Sequence, residues 1–398
     1  MNVKVAIVGA GIGGLAAAAF LHQRGIRSTV YEQASELTEV GAGLVIAPNA
    51  ARLIRRLGGA TFLEEQAVCL DVGWEFRRWQ DGRVLSSERL TNTCRALYGE
   101  DTYTAHRADL LGAIQAAVPE RYIRLGKKCV QVEIEEGRAR LTFADGEVVA
   151  SDVTIGADGI HSVVRSTLAS TVAPSYSGMC AFRALVPAEF APNFSRRRAQ
   201  TIWIGPDHHL VHYPVSAGRF INLVAFAPAG DYTTESWTAT ASVDALLAEF
   251  DGWDERLRDF IRAAGVPGRW ALLDRAPLAK WTIGRTTLLG DAAHPMFPFF
   301  AQGAAQAIED AVVLARCLSD APDQPERALI RYEQLRRPRT TRIQLVSHSR
   351  AQTNHLPDGP EQEFRDAAFN ESDPLVANSW IYDYDPDVVT AKPRRDPQ

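Results

Sequence analysis

"VKVAIVGAGIGGLAAAAFLHQRGIRSTVYE", residues 3–32, decides the fold. Its first six residues are a short β-branched run, the pattern of a parallel strand buried on both faces. Gly9, Gly11 and Gly14 then match GxGxxG, a helical "LAAAAFLHQRGI" follows, and "STVYE" reads as a second strand ending at Glu32. Each part has a mechanical reason. Gly9 allows the tight turn, Gly11 lets a pyrophosphate approach the backbone, and Gly14 lets helix and strand pack closely. Free N–H groups at the helix start suit phosphates. An acid 18 residues beyond Gly14 suits a ribose 2′-hydroxyl and would repel a 2′-phosphate, so the spacing predicts FAD or NAD rather than NADP.

The bulk numbers bound the rest. With 398 residues the chain is long for one core, and two domains are expected. A net charge of -5 supplies no basic field, which argues against nucleic acid or acidic lipid as a partner. No apolar run reaches the roughly 18 residues of a membrane span, and "MNVKVAIVGAG" lacks the features of an export signal. Five cysteines (69, 94, 129, 180 and 317) are scattered and never in CxxC spacing, so they read as reduced thiols of a cytoplasmic protein without a metal cluster.

Two distant segments narrow the ligand. "ASDVTIGADGIHSVVR" (150–165) is a strand followed by Gly156, Asp158, Gly159 and Arg165. "LLGDAAHPMFPFFAQGAAQAIEDAVVLA" (288–315) is a strand end at Asp291, a Pro/Phe loop and a Gly/Ala-rich helix. Each puts an acid at the carboxyl end of a buried strand, where α/β sheets bind ligands. GxGxxG at 9–14, DG at 158–159 and GD at 290–291, in that order, resemble the class A flavoprotein aromatic hydroxylases, and most of all their salicylate hydroxylase and 6-hydroxynicotinate 3-monooxygenase branch. The likeness extends to "GAGLVIAPNA" (41–50), "AHRADLL" (105–111), "HLVHYPVSAGRFINLV" (209–224) and "NSWIYDYD" (378–385).

The resemblance implies an α/β fold: a Rossmann-like FAD-binding domain of the GR2 type, an inserted antiparallel β-sheet substrate domain, and C-terminal helices. Residues 1–70, 100–175 and 275–345 would form the first, 71–99 and 176–274 the second, and 346–398 a C-terminal helix and tail. The tail from 386 is Pro-rich and charged, and is expected to be poorly ordered.

It also implies roles. Arg107 would contact flavin or pyrophosphate, Asp291 the ribityl chain, and Asp158 with Gly159 the pyrophosphate. Arg165 would reach the cofactor or pair with Asp158. With no second GxGxxG, NADH or NADPH would be a visiting co-substrate. A helix starting near 301 would aim its positive end at the anionic reduced flavin, Gly303 and Ala304 allowing close approach. Pro295 and Pro298 would brace the loop, Pro298 standing with the catalytic groups. Met296, Phe297, Phe299 and Phe300 would keep the flavin face dry, so that a C4a-hydroperoxide formed with O2 attacks an electron-rich ring instead of decaying to peroxide. His294 reads as a structural residue.

Strand alternation puts His209, Val211 and Tyr213 on one face, and His208, Leu210 and His212 on the other. His209 and Tyr213 are the candidates for handling the substrate hydroxyl, Arg183 for a carboxylate, and Val45 for shaping the ring site. The 6-hydroxynicotinate enzymes carry histidines at the positions of Val45 and near Phe299, so this site is more apolar. The expected activity is an NAD(P)H-consuming, FAD-dependent monooxygenase, monomer or homodimer, that hydroxylates a small phenolic acid ortho or para to its hydroxyl. A larger phenolic natural product, or a flavin-binding redox protein without oxygen insertion, are the alternatives.

Overall fold

The computed structural model describes residues 3–37, 42–135, 138–168, 173–230, 239–369, 371 and 373–390. The strand Val5–Val8 has all four residues buried and pairs in parallel with Ser28–Tyr31 on one side and Val153–Gly156 on the other. These are the inner strands of a six-stranded sheet ordered 282–283, 286–288, 153–156, 5–8, 28–31, 123–124. Only the edge pair Thr282–Ile283 and Thr286–Leu288 is antiparallel. Burial on both faces explains the unbroken apolar runs of the inner strands.

Helix Ile12–Gln23 packs between this sheet and helix Gly303–Asp320. The run Ala16–Ala19 is buried, and its small side chains allow the close approach. A Cβ on Gly13 would stand 2.6 Å from the Leu289 side chain and 3.2 Å from the Ala307 Cβ, so the two helices and the end of the 286–288 strand meet closely at this glycine.

A seven-stranded sheet is ordered 268–274, 175–187, 220–228, 208–215, 199–205, 72–78, 84–89. One face is covered by helices Val243–Glu249 and Glu255–Arg262, whose Leu246, Phe250, Leu257 and Phe260 pack with Trp203, Leu210 and Leu223. The other face looks into a cleft. The fully antiparallel arrangement expected of these segments fails at one junction: Ala199–Gly205 runs parallel to Val72–Arg78. The local hairpins 72–89, 199–215 and 208–228 have their direction fixed by a short turn; the pairing between 72–78 and 199–205 has no such constraint.

Helix Pro325–Asn354 packs on helix Gly303–Asp320 and on the 298–300 turn, and carries Pro338 within it. The tail departs from expectation. Pro386–Thr390 is a short helix with Thr390 buried, anchored where Arg331 donates to the Thr390 carbonyl at 2.9 Å; residues 391–398 lie outside the described residues. Among the described residues no helix is long and apolar enough to cross a membrane.

Candidate active site

One cleft of about 310 Å³ runs from the glycine turn to the inner face of the seven-stranded sheet, a volume in the usual range for small-molecule sites. At its first end, Gly9 has φ 101°, and a Cβ there would lie 2.4 Å from the Ala157 carbonyl oxygen. A Cβ on Gly14 would lie 2.0 Å from the Gly9 carbonyl oxygen. Gly11 is different: it lines the cleft, and its Cβ would meet nothing within 4 Å. Two of the three glycines therefore serve packing, and the third leaves room for a ligand. Glu32 accepts hydrogen bonds from the N–H groups of Ala10 (2.7 Å) and Ala34 (2.9 Å), and so holds the glycine turn against the second strand.

Asp158 sits differently from expectation. Its carboxylate accepts from the Ser162 hydroxyl and the N–H groups of Val163 (2.8 Å) and Val164 (3.3 Å), at the start of helix Val163–Leu168. It is not on the cleft wall, whereas its neighbours Ala157 and Gly159 are. Burial raises its pKa. Arg165 does not meet Asp158; it donates to the carbonyls of Ala292 (3.1 Å) and Ala293 (3.3 Å), tying this helix to the loop after Asp291. Burial, with Arg275 nearby, lowers its pKa to about 10, so it stays cationic at neutral pH.

The 288–303 loop forms the floor. Asp291 is exposed on the cleft, with no hydrogen bond from the described residues. It is placed by a buried charge network that the sequence reading missed. Asp310 accepts from the Gly290 N–H (3.1 Å), His294 Nε2 (2.6 Å) and Arg336 Nε (2.7 Å). Arg336 also meets Glu309 at 2.6 Å, and Asn49 donates to Glu309 at 2.7 Å. Burial alone would raise the pKa of both acids, but the cations outweigh it and both lie below the ordinary carboxylate range. His294 is thus structural: a strut from loop to helix. The signal was present as an adjacent Glu–Asp pair, Glu309 and Asp310, followed by the apolar run Ala311–Ala315.

Pro298 and Phe300 bound a 3₁₀ turn, Ala301 has φ 51°, and the helix begins at Gly303. Met296, Phe297, Pro298, Phe299, Gly303 and Ala304 line the cleft. Phe300 does not. It points to the other side of the turn, against Trp74 and the Arg350 guanidinium. Pro295 is likewise behind the wall, its carbonyl accepting from Gln344.

The seven-stranded sheet supplies the opposite wall. His209, Val211 and Tyr213 face the cleft, while Leu210 and His212 face the helices, where Trp203 donates to His212 at 3.2 Å. Burial holds the Tyr213 phenol well above its ordinary pKa and the His209 imidazole well below its own, so at neutral pH one is a neutral donor and the other a neutral base. Arg183 lies over Trp270, 4.0 Å from the ring centroid, and its buried Nε has no hydrogen-bond partner among the described residues. Burial lowers its pKa to about 10, Tyr213 opposing and Arg107 adding to the effect, so it remains a cation. Val45 and Arg107 complete this wall; Gly43 is fixed by its N–H to Asn222 Oδ1 (2.7 Å), and the Arg107 N–H donates to the Ala42 carbonyl (2.8 Å). Trp74, from the 72–78 strand, reaches the cleft with its indole N–H on the Tyr382 hydroxyl at 3.1 Å, which gives the 378–385 motif its purpose.

Residues 2–346 match the family described as FAD binding domain. The chain is 40% identical to the 3-amino-4-hydroxybenzoate 2-monooxygenase PtmB3 of Streptomyces platensis, covering 96% of both chains. This chain belongs to the FAD-dependent aromatic hydroxylases. The 6-hydroxynicotinate 3-monooxygenase of Bordetella bronchiseptica is 36% identical over 89% of this chain and 94% of its own. Among solved structures, a salicylate hydroxylase substrate complex superposes with TM-score 0.81 at 27% identity, covering 97% and 96%. Klebsiella pneumoniae HpxO complexed with FAD and uric acid does so with TM-score 0.84 at 27% identity, covering 96% of each.

As an aromatic hydroxylase of this family, the chain uses FAD, a nicotinamide nucleotide and O2. Its residues fit the flavin nucleotide: an open backbone at Gly11, an unpartnered carboxylate at Asp291, and an exposed helix start at Gly303 and Ala304 on the same cleft. When bound, FAD takes electrons from the nicotinamide and activates O2 for transfer to the ring. The protein's share is to orient the ring, hold its charges and exclude water. Cleft residues that went unnoticed in the sequence include Trp74, Gln200, Phe226 and Asn354.

Proposed function

We propose that the chain hydroxylates a small hydroxybenzoate-type acid, with Arg183 binding the carboxylate and His209 and Tyr213 handling the ring substituent. The observation that carries this is Arg183: a half-buried cation on the cleft wall, braced by Trp270, whose buried Nε has no partner among the described residues. A neutral substrate would leave that donor unsatisfied, at a cost of about 1–3 kcal/mol. Phe297, Phe299 and Val45 would then enclose the ring and keep water from the flavin, with Pro298 bracing their loop.

Oxygen transfer is electrophilic and needs a strong donor on the ring. A hydroxyl serves once deprotonated; an amino group serves as it stands. Three relatives at 38–40% identity are 3-amino-4-hydroxybenzoate 2-monooxygenases, which makes that acid the first candidate. The proposed architecture is the Rossmann-like, GR2-type FAD-binding part from 1–70, 100–175 and 275–345, with the substrate sheet from 71–99 and 176–274 inserted.

The test is NADH and NADPH oxidation by the purified yellow protein with 3-amino-4-hydroxybenzoate, 3-hydroxybenzoate, salicylate and 6-hydroxynicotinate, product and peroxide being measured together. Product from a carboxylated phenol supports the reading. Peroxide equal to nucleotide consumed for every compound would overturn it.

A further inference from the structure

We propose that His355 is the exit of a two-histidine proton conduit that joins the substrate pocket to solvent through His209. The inference rests on the reading of the cleft as a phenol pocket.

The geometry is specific. His209 Nδ1 and His355 Nε2 are 2.5 Å apart. His209 is almost wholly buried and lines the cleft, its ring stacked on Phe226 (4.3 Å between centroids) and edge-on to Phe299 (5.0 Å). Those two rings fix its orientation, and its Nε2 makes no hydrogen bond to a described residue. His355 caps the C-terminal end of the 30-residue helix Pro325–Asn354 and is only half-buried. Its carbonyl accepts the Asp207 N–H at 3.2 Å, which pins the helix end to the 205–208 turn beside His209. Its Nδ1 makes no hydrogen bond to a described residue.

A hydrogen bond between two imidazoles requires one donor and one acceptor, so the pair as found carries at most one extra proton. Burial keeps both rings neutral at physiological pH, His209 with a pKa far below the ordinary value and His355 at about 4. The pair therefore stores no proton; it passes one. The phenol O–H breaks as Nε2–H forms on His209, the Nδ1 proton of His209 moves to Nε2 of His355, and the Nδ1 proton of His355 leaves to water. Reprotonation of the product oxygen runs the same transfers backward and resets both tautomers. The negative end of the long helix stabilises a passing positive charge on His355.

Other ionisable groups do not divert the path. Among the described residues the only further charge acting on either ring is that of His208, and its Nε2 is held by Glu249 at 3.1 Å. Asn354, Phe226 and Phe299, the remaining neighbours in the cleft, do not titrate.

The measurement is proton release to a pH-indicator dye when a phenolic substrate binds the FAD-loaded enzyme in stopped flow, for wild type, His355→Gln and His355→Asn. The expected result is release slowed about tenfold or more in both variants, with FAD content, melting temperature and substrate affinity retained and the rate restored by added imidazole. A structural role would not respond to imidazole. Release at the wild-type rate in a folded, flavin-loaded variant, or a loss that imidazole leaves unchanged, would refute the conduit. If the wild type itself neither releases a proton nor hydroxylates any phenol, the phenol-pocket reading fails first and the conduit falls with it.

Discussion

The guanidinium of Arg183 lies flat over the indole of Trp270, 4.0 Å from guanidinium carbon to ring centroid. The stack fixes the plane of the fork and so the direction in which it can grip a carboxylate. Arg183→Gln should raise KM for carboxylated phenols by about 10- to 100-fold, the loss of one charged hydrogen bond, while kcat changes little. The corresponding aminophenol without a carboxylate should be indifferent to the substitution. Steady-state kinetics on the acid and its decarboxylated analogue read both quantities.

Asp310 ties Gly290, His294 and Arg336 together with one carboxylate. Asp310→Asn leaves Arg336 with Glu309 as its one acidic partner in the network and takes the carboxylate from His294 and the Gly290 N–H, and unfolding free energy should fall by about 3–5 kcal/mol. The loop bearing Asp291 loosens with it. Denaturant titration gives the first effect, and flavin lost on gel filtration gives the second.

Gly11 and Gly14 should respond in opposite ways to the same change. Gly14→Ala forces a Cβ to 2.0 Å from a backbone oxygen and should prevent a soluble fold. Gly11→Ala meets nothing in the protein; it should melt like wild type without flavin yet retain far less FAD. The ratio of flavin to protein absorbance, set beside melting temperature, separates the two.

Acid should weaken the fold earlier than its carboxylates predict. Burial keeps His212 at about 3 and His355 at about 4, against 6.5 for a free imidazole. The unfolded chain thus binds protons that the folded one refuses. Stability from these groups is complete above about pH 6.5 and is lost as pH falls, by up to about 1.4 kcal/mol per pH unit for each histidine. For His355 the loss ends near pH 4 and for His212 near pH 3. Below the ordinary carboxylate range, Glu309 and Asp310 add their own loss in the same direction. His212→Gln, whose amide oxygen can still accept from Trp203, should flatten the dependence of the denaturation midpoint between pH 7 and 5. An unchanged slope would count against this account.

What the sequence disclosed and what it withheld follow from the range of the interactions. The glycine turn, the helix expected from about 301 and found from Gly303, and the alternation of His209, Val211 and Tyr213 are set within a few residues, so spacing reveals them. Placing Asp158 depended on whether its carboxylate faced a ligand or the next helix, and Ser162 with the amides of Val163 and Val164 captured it. Phe300 lay in the same aromatic run as Phe299, but the tight turn sends the two rings to opposite sides. Trp270, Trp74 and His355 join the site by strand pairing or helix docking from far along the chain. No local pattern marks them.

The parallel contact between Ala199–Gly205 and Val72–Arg78 has a consequence for biosynthesis. The 72–89 ribbon leaves the ribosome long before its partner strand does, at about 5–20 residues per second. Until then it presents an unsatisfied edge bearing Trp74 and Phe76, the kind of surface that recruits a second nascent copy. Recombinant yield should therefore respond to slower translation or to added chaperone more than the stability of the finished enzyme would suggest.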